Sequence, residues 1–152
     1  MSQLPPGTPV PSFSLKRADN SAFTEADLAG KTTVLVFYPF AFTGVCTDQL
    51  NLYDELRDQF AEQGATLYGV SCDSVHSQKA FKEQLGIEIE QLSDFEPKGA
   101  TCRAFGVYHP GGFAQRALMI VGPDSTVKWS YQAETPGVLP GANLIFDGLA
   151  AV

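Results

Sequence analysis

The chain has 152 residues, of which 44% are hydrophobic and 18% charged, as expected of one folded globular domain spanning residues 1–152. Its net charge of −7 argues against a nucleic-acid partner, because neutralising phosphates requires clustered lysines and arginines and only ten are present. No apolar run approaches the ~20 residues that span a bilayer, so no membrane partner is expected.

The N-terminus and the cysteines indicate the compartment. The first seven residues, MSQLPPG, have neither a basic region nor an apolar stretch, so we expect no secretory signal and a cytoplasmic location. Three widely spaced cysteines without a C-x-x-C pair argue against a disulfide scaffold and a zinc ribbon. The two histidines, His76 and His109, are too few and too distant in sequence to suggest a metal site, and no metal is expected.

Strand and helix patterns alternate along the first half of the chain. Polar and apolar residues alternate over 12–16, and turn-forming residues precede Phe23, so an N-terminal β-hairpin is predicted. The runs Thr32–Tyr38 and Ala65–Ser71 are β-branched and apolar, as in strands buried on both faces of a central sheet. Between them, Leu50, Tyr53, Leu56 and Phe60 recur at helical spacing, and Gly64 is placed to end that helix.

The second half continues the alternation. A helix starting at Ser74 or Ser77 ends at Gly86, and a short helix covers 101–105. A turn at 109–112 precedes a hairpin formed by 117–121 and 126–131, and an amphipathic helix covers 142–150. These elements predict an α/β fold with a mixed central β-sheet flanked by helices. Thioredoxin-like folds have this order of elements.

The stretch from Pro39 to Cys46 is the most informative for chemistry. It joins a buried strand to the first turn of an amphipathic helix, with the cysteine at or near the helix start. Free amide N–H groups and the positive end of the helix dipole stabilise anions there, and the reactive form of cysteine is the thiolate. The segment therefore predicts a reactive cysteine.

The chain resembles the peroxiredoxins, whose active-site signature is Pro-x-x-x-Thr-x-x-Cys. Pro39, Thr43 and Cys46 match it, and Arg116 in QRALMIV matches the arginine on a later strand. Other segments such as VSCDS and AFGV follow in the family's order from about Pro11 to the C-terminus. The wording FAFTGVC is most similar to the AhpE-type one-cysteine group of the AhpC/TSA superfamily.

The resemblance implies an enzyme that reduces hydrogen peroxide and organic hydroperoxides to water and alcohols. Cys46 would attack the peroxide and become a sulfenic acid, and Arg116 would favour the thiolate and hold an oxygen. Thr43 would orient the peroxide, and Pro39 would shield the sulfur. The resemblance also implies no cofactor, a homodimer, and recycling by an external thiol reductant of the thioredoxin, glutaredoxin or low-molecular-weight type.

The sequence leaves the fate of the sulfenic acid open. Cys102 follows a segment that we expect to be mobile enough to approach Cys46, whereas Cys72 ends a buried strand where a small apolar residue would also serve. Either is a candidate resolving cysteine, while the resemblance to one-cysteine enzymes implies that neither is needed. Asn51 occupies the position five residues after Cys46 where many relatives carry a resolving cysteine.

The sequence departs from the family pattern at Gln49, and two other functions compete with peroxide reduction. Gln49 stands where many peroxiredoxins place a glutamate that supports the active-site arginine, so we expect Arg116 to be more available to the thiolate. A peroxide-sensing thiol relay protein with little turnover remains an alternative. A thiol–disulfide oxidoreductase on the same fold is disfavoured, because the chain lacks C-x-x-C.

Overall fold

A computed structural model describes residues 3–152, so the first two residues of the segment inspected for a secretory signal lie outside it. Its strands are β1 (Ser14–Lys16), β2 (Ala22–Thr24), β3 (Thr32–Phe37), β4 (Ala65–Ser71), β5 (Glu90–Ser93), β6 (Tyr108–His109), β7 (Phe113–Ala114), β8 (Ala117–Val121) and β9 (Val127–Gln132). Its helices are α1 (Gly44–Glu55), α2 (Arg57–Glu62), α3 (Val75–Leu85), α4 (Ala100–Ala104) and α5 (Ala142–Ala150), with a 3-10 turn at Glu25–Leu28.

Seven of the strands form one mixed sheet in the order β2-β1-β5-β4-β3-β8-β9. The central strands β3, β4 and β5 are parallel, whereas β8 pairs antiparallel with β3 and β1 pairs antiparallel with β5. The predicted N-terminal hairpin is β1–β2, and the hairpin predicted near the C-terminus is β8–β9. Strands β6 and β7 form a separate small hairpin around the predicted turn.

Side chains on the two faces of this sheet build two separate cores, because successive residues of a strand point to opposite faces. Val34 and Val36 of β3 belong to the core that also contains α1 residues, which we call the α1-side core. Leu35 and Phe37 belong to the other core, which includes α4 residues and is called the α4-side core. Each buried side chain of the sheet, or of a helix packed on it, therefore belongs to one of these two cores.

The ends of α3 follow directly from its sequence. Ser74 is the N-cap, and its hydroxyl accepts a hydrogen bond from the backbone N–H of Ser77. Gly86 closes the helix in the left-handed conformation with φ of +67°, which a residue without Cβ adopts without steric cost. Ser74 is therefore the start of this helix, and Ser77 lies inside it.

The helix between the first two buried strands and the strand β5 differ from the sequence-based prediction. The single helix expected between the first two buried strands is divided at Leu56, where φ is −101° and ψ is 7°, into α1 and α2. The strand β5 is absent from the sequence-based prediction, because its first residues, Glu90 and Gln91, are polar and its pairing with β4 and β1 makes the segment extended. None of the helices within residues 3–152 is both long and apolar enough to cross a membrane.

Candidate active site

Cys46 is the third residue of α1 and is fully buried in the α1-side core. The helix begins after Thr43, whose backbone is extended and whose hydroxyl donates to the carbonyl oxygen of Phe40 at 2.8 Å instead of capping the helix. The sulfur therefore belongs to the first helical turn, where backbone N–H groups lack intrahelical acceptors. This location favours an anion, as the sequence predicted.

The turn that leads into α1 contains Phe42, a non-glycine residue with φ of +69°. A side chain in this left-handed region costs ~1–2 kcal/mol, so packing must hold it there. The Phe42 ring contacts Phe81 of α3, with 5.2 Å between ring centroids, although 49% of the residue remains exposed. The entry to the cysteine helix is thus held by an aromatic contact to the neighbouring helix.

Asp73, which follows β4, holds the same turn by a hydrogen bond. Its Oδ2 accepts from the backbone N–H of Ala41 at 2.8 Å and from the hydroxyl of Ser71 at 2.7 Å. Sequence reasoning did not identify this residue. Its position directly after a parallel strand was the available signal, because ligand sites of open α/β sheets gather at the carboxyl ends of their strands.

Arg116, immediately before β8, lies against the thiol. Its Nη2 donates to Cys46 Sγ at 3.2 Å, and the side chain is almost fully buried. Its Nε donates to the carbonyl oxygen of Pro136 at 2.6 Å. None of the ion pairs formed within residues 3–152 involves Arg116, so no carboxylate among these residues competes with the Cys46 sulfur for this buried cation.

Gln49 orients the guanidinium from the next turn of α1. Its Oε1 accepts from Arg116 Nη1 at 2.6 Å, and its Nε2 donates to the hydroxyl of Tyr53 at 3.2 Å. Tyr53 in turn donates to the carbonyl oxygen of Pro140 at 2.6 Å, and burial raises the pKa of Tyr53 to about 12, so it stays a protonated donor. Tyr53 was assigned only to the helix pattern; its i, i+4 spacing from Gln49 was the missed signal.

An open pocket of about 300 Å³ lies beside the arginine. Its walls are largely apolar, and the rings of Phe40 and Phe113 lie 5.1 Å apart between centroids. The lining residues are Pro39, Phe40, Thr43, Gly44, Val45, Phe113, Arg116, Pro136 and Gly137. Arg116 lines the pocket and also donates a hydrogen bond to Cys46 Sγ, so this one side chain connects the pocket to the sulfur.

The structure brings Pro39, Thr43, Cys46 and Arg116 together, but it separates the other two cysteines from them. Cys72 and Cys102 are buried in the α4-side core, across the sheet from Cys46. All three cysteines are free thiols. Cys102 does not lie beside Cys46 in this conformation, because its helix packs against the opposite face of the sheet, and the expected mobility of the segment before Cys102 stays a prediction.

Comparison with known proteins identifies the family. The model of the AhpC/TSA family matches residues 6–130. The chain belongs to the AhpC/TSA family of peroxiredoxins. It is 31% identical to alkyl hydroperoxide reductase E of Mycobacterium tuberculosis over 96% of both chains, and 35% identical to peroxiredoxin tpx1 of Schizosaccharomyces pombe over 80% of this chain and 68% of that protein.

Solved peroxiredoxin structures share the fold of this chain. AhpC of Enterococcus faecalis superposes with a TM-score of 0.86 at 28% identity, covering 99% of this chain and 92% of that one. Peroxidoxin BcpB of Mycobacterium tuberculosis gives 0.84 at 26% identity, covering 100% and 99%. The predicted thioredoxin-like fold and the predicted function, thiol-dependent peroxide reduction by a peroxiredoxin, are confirmed.

Proposed function

We propose that Cys46 is the residue of this peroxiredoxin that attacks the hydroperoxide, with Arg116, Thr43 and Pro39 as its active-site partners. The observation that carries the proposal is the position of Arg116, whose guanidinium contacts Cys46 Sγ and which is also a lining residue of the pocket. A peroxide entering the pocket meets the same cation that stabilises the thiolate. The nucleophile and the group that stabilises developing charge are thereby held in one place.

The chemical step follows from this arrangement. The Cys46 thiolate attacks the terminal oxygen of ROOH, the O–O bond breaks, and the sulfur becomes a sulfenic acid. The departing RO⁻ takes a proton and leaves as ROH, which is water when the substrate is hydrogen peroxide. Arg116 lies beside the sulfur, where its N–H groups can stabilise the negative charge as it moves from sulfur to the leaving oxygen.

Thr43 and Pro39 define how the peroxide is held. The Thr43 hydroxyl gives its proton to the carbonyl oxygen of Phe40, so the lone pairs of its oxygen are the part left to face a ligand. It would therefore accept a hydrogen bond from the peroxide O–H and place the terminal oxygen toward Cys46. Pro39, which lines the pocket, presents an apolar ring and no backbone donor, and so limits the access of water.

The pocket walls favour organic hydroperoxides over hydrogen peroxide. Phe40 and Phe113 offer apolar surface next to Arg116, and burying apolar surface stabilises a bound alkyl chain by ~25 cal/mol per Å². Hydrogen peroxide has no such chain and would be held by polar contacts alone. The name of the mycobacterial relative, alkyl hydroperoxide reductase E, agrees with this preference.

Recycling by an external thiol reductant fits the position of the cysteines. Neither Cys72 nor Cys102 shares a core with Cys46, so a sulfenic acid on Cys46 has no neighbouring thiol from this chain in the described conformation. Three free thiols suit a reducing compartment, in agreement with a cytoplasmic location. A homodimer remains part of the proposal through the resemblance to the family.

The test is mass spectrometry of the reduced protein treated with one equivalent of hydroperoxide, with and without a sulfenic-acid trap. We expect a trapped adduct on Cys46, and none at this position in a Cys46→Ser variant. Continued peroxide consumption with a thiol reductant is also expected, whereas a peroxide sensor would stop after about one equivalent. An unmodified Cys46 alongside a modified second cysteine would contradict the assignment of the nucleophile.

A further inference from the structure

The α4-side core contains a pair of neighbouring cysteines. Cys72 lies just beyond the end of β4, and Cys102 lies in α4. Their sulfur atoms and a carboxylate oxygen of Asp94, which follows β5, all lie within 4.8 Å of one another. All three residues are buried, with 4% of Cys72 and none of Cys102 exposed. Two thiols from distant parts of the sequence are thus held side by side in the protein interior.

Asp94 explains why the pair is held in place. Its Oδ1 accepts a hydrogen bond from the backbone N–H of Thr101 at 3.0 Å, and its Oδ2 accepts one from the backbone N–H of Cys102 at 2.7 Å. The carboxylate therefore fixes the first turn of α4, and with it the direction in which Cys102 points. Asp94 is a structural anchor whose position keeps the second sulfur next to Cys72.

This arrangement suits dithiol chemistry better than metal binding. A structural zinc ion takes four ligands in a tetrahedron, and within residues 3–152 the cluster consists of Cys72, Asp94 and Cys102 only. Both carboxylate oxygens of Asp94 already accept backbone hydrogen bonds. Cys72 and Cys102 are free thiols, and these two sulfurs are the groups of the cluster that can be oxidised.

The two thiols differ in their readiness to ionise. The neighbouring Cys102 thiol lowers the pKa of Cys72. The neighbouring Cys72 sulfur, together with burial and the nearby carboxylate of Asp94, raises the pKa of Cys102 well above its ordinary value. Cys72 is also the less buried of the two. Cys72 is therefore the sulfur that reacts first, and Cys102 is the one that retains its proton.

We propose that Cys72 and Cys102 form a second redox centre, independent of Cys46, which closes to an intramolecular disulfide when the protein meets excess hydroperoxide. The Cys72 thiolate attacks the terminal oxygen of ROOH, the O–O bond breaks and the sulfur becomes a sulfenic acid, while the departing RO⁻ takes up the proton that Cys72 released on ionising and leaves as ROH. The Cys102 sulfur then attacks the Cys72 sulfur, an S–S bond forms, and the hydroxyl group leaves as water with the proton of Cys102. Two thiols are oxidised and one peroxide is reduced.

The geometry allows the bond with small movements. A disulfide has an S–S length of ~2.05 Å, so sulfurs that start within 4.8 Å of each other must approach by less than ~3 Å. Rotation about χ1 of either cysteine moves its sulfur over such a distance. Because little of the pair is exposed, oxidation there is expected to be slower than at Cys46, so the disulfide marks exposure to excess peroxide rather than each turnover.

The experiment uses full-length Cys46→Ser protein, which lacks the proposed peroxidase nucleophile, so this inference and the proposed function fail separately. The reduced protein is incubated with excess hydrogen peroxide, remaining thiols are alkylated under denaturing conditions, and tryptic peptides are mapped without reduction. Cleavage after Arg57, Lys79, Lys98 and Arg103 places Cys72 in the peptide 58–79 and Cys102 in the peptide 99–103. We expect these two peptides to be linked, with the loss of both alkylatable thiols.

Matched variants complete the test. Adding Cys72→Ala or Cys102→Ala to the Cys46→Ser protein removes the link, and circular dichroism checks that each variant is folded. The proposal would be overturned if Cys72 and Cys102 stayed alkylatable under a peroxide treatment that fully oxidises Cys46 in the unmutated protein. A disulfide that joins Cys46 to either Cys72 or Cys102 in the unmutated protein would also overturn it, because it would assign these residues to resolution instead.

Discussion

Replacing Arg116 with alanine separates two contributions to peroxide reduction, thiolate formation and stabilisation of the departing oxygen. A free cysteine with a pKa of ~8.5 is ionised to about 3% at neutral pH, so complete ionisation contributes at most a ~30-fold increase in rate. Nucleophilicity falls as a thiol becomes more acidic, which reduces this gain further. Any larger loss on removing the arginine must come from the second contribution.

The structure shows that Arg116 can supply that contribution. The guanidinium is buried, carries no ion pair to a carboxylate among residues 3–152, and is held by Gln49 and the carbonyl oxygen of Pro136. Removing one pre-positioned donor from a site of developing negative charge lowers rates by ~10²–10³-fold. Together with the lost thiolate stabilisation, we expect Arg116→Ala to reduce the second-order rate constant by about 10³-fold or more.

The assay follows a single turnover by rapid mixing with hydroperoxide, using the fluorescence of the one tryptophan, Trp129, or quenched mass spectrometry. The thiolate fraction is measured in parallel from the rate of alkylation of Cys46 as a function of pH. Arg116→Lys is the matched control, because it keeps the charge but loses the planar set of donors, and should lose rate while keeping most of the thiolate. Arg103→Ala, which removes an arginine stacked on Tyr108, should leave both unchanged.

The comparison of the two measurements decides the outcome. If Arg116→Ala reduced the rate only in proportion to its thiolate fraction, the arginine would act on ionisation alone and the argument for stabilising the departing oxygen would be wrong. Equal rates for Arg116→Lys and the unmutated protein would refute the requirement for directed N–H donors.

Three further predictions concern the groups around the two cores. Gln49→Glu places a negative charge beside Arg116 that competes with the Cys46 thiolate for the guanidinium, so the thiolate fraction at neutral pH should fall. An unchanged or higher fraction in alkylation assays would contradict this. Tyr53→Phe leaves the carbonyl oxygen of Pro140 without its buried donor and should lower the free energy of unfolding by ~1–3 kcal/mol in urea titrations, and no change would show that the bond is dispensable. Burial raises the pKa of Asp94 above its ordinary value of 3.8, so the folded state binds the proton more tightly than the unfolded state. The contribution of Asp94 to the free energy of unfolding should therefore decrease as pH rises from 3.8 through the raised pKa. The free energy of unfolding of the unmutated protein minus that of Asp94→Asn should accordingly increase as pH falls through the same window. A difference that does not depend on pH would refute this.

The local features of this protein were predictable because their causes lie within a few residues. The β-branched runs that become β3 and β4 are buried on both faces in any parallel sheet, so composition alone identifies them. Ser74 and Gly86 end α3 through backbone hydrogen bonds and a positive φ that act locally. Cys46 likewise lies in the first turn of α1, three residues after the N-cap Thr43, as its place in the sequence predicted.

The tertiary structure alone decided which distant groups meet. Strand β5 is extended because β4 offers it a hydrogen-bonding partner, and its own polar residues contain no signal strong enough to show this. The contact of Arg116 with Gln49 joins residues 67 positions apart, and only the antiparallel pairing of β8 with β3 brings them together. Sequence could propose this pair only through resemblance to a family.

The three cysteines show most clearly the difference between features that local sequence predicts and contacts that only the tertiary structure decides. Sequence alone placed Cys46 at a helix start and Cys72 after a strand, but it left open whether Cys72 or Cys102 approaches Cys46. The answer depends on which face of the sheet each helix covers, and that choice is made by the chain connections and the packing of the whole sheet. Cys46 therefore contacts an arginine on one face of the sheet, whereas Cys72 and Cys102 lie next to each other on the opposite face.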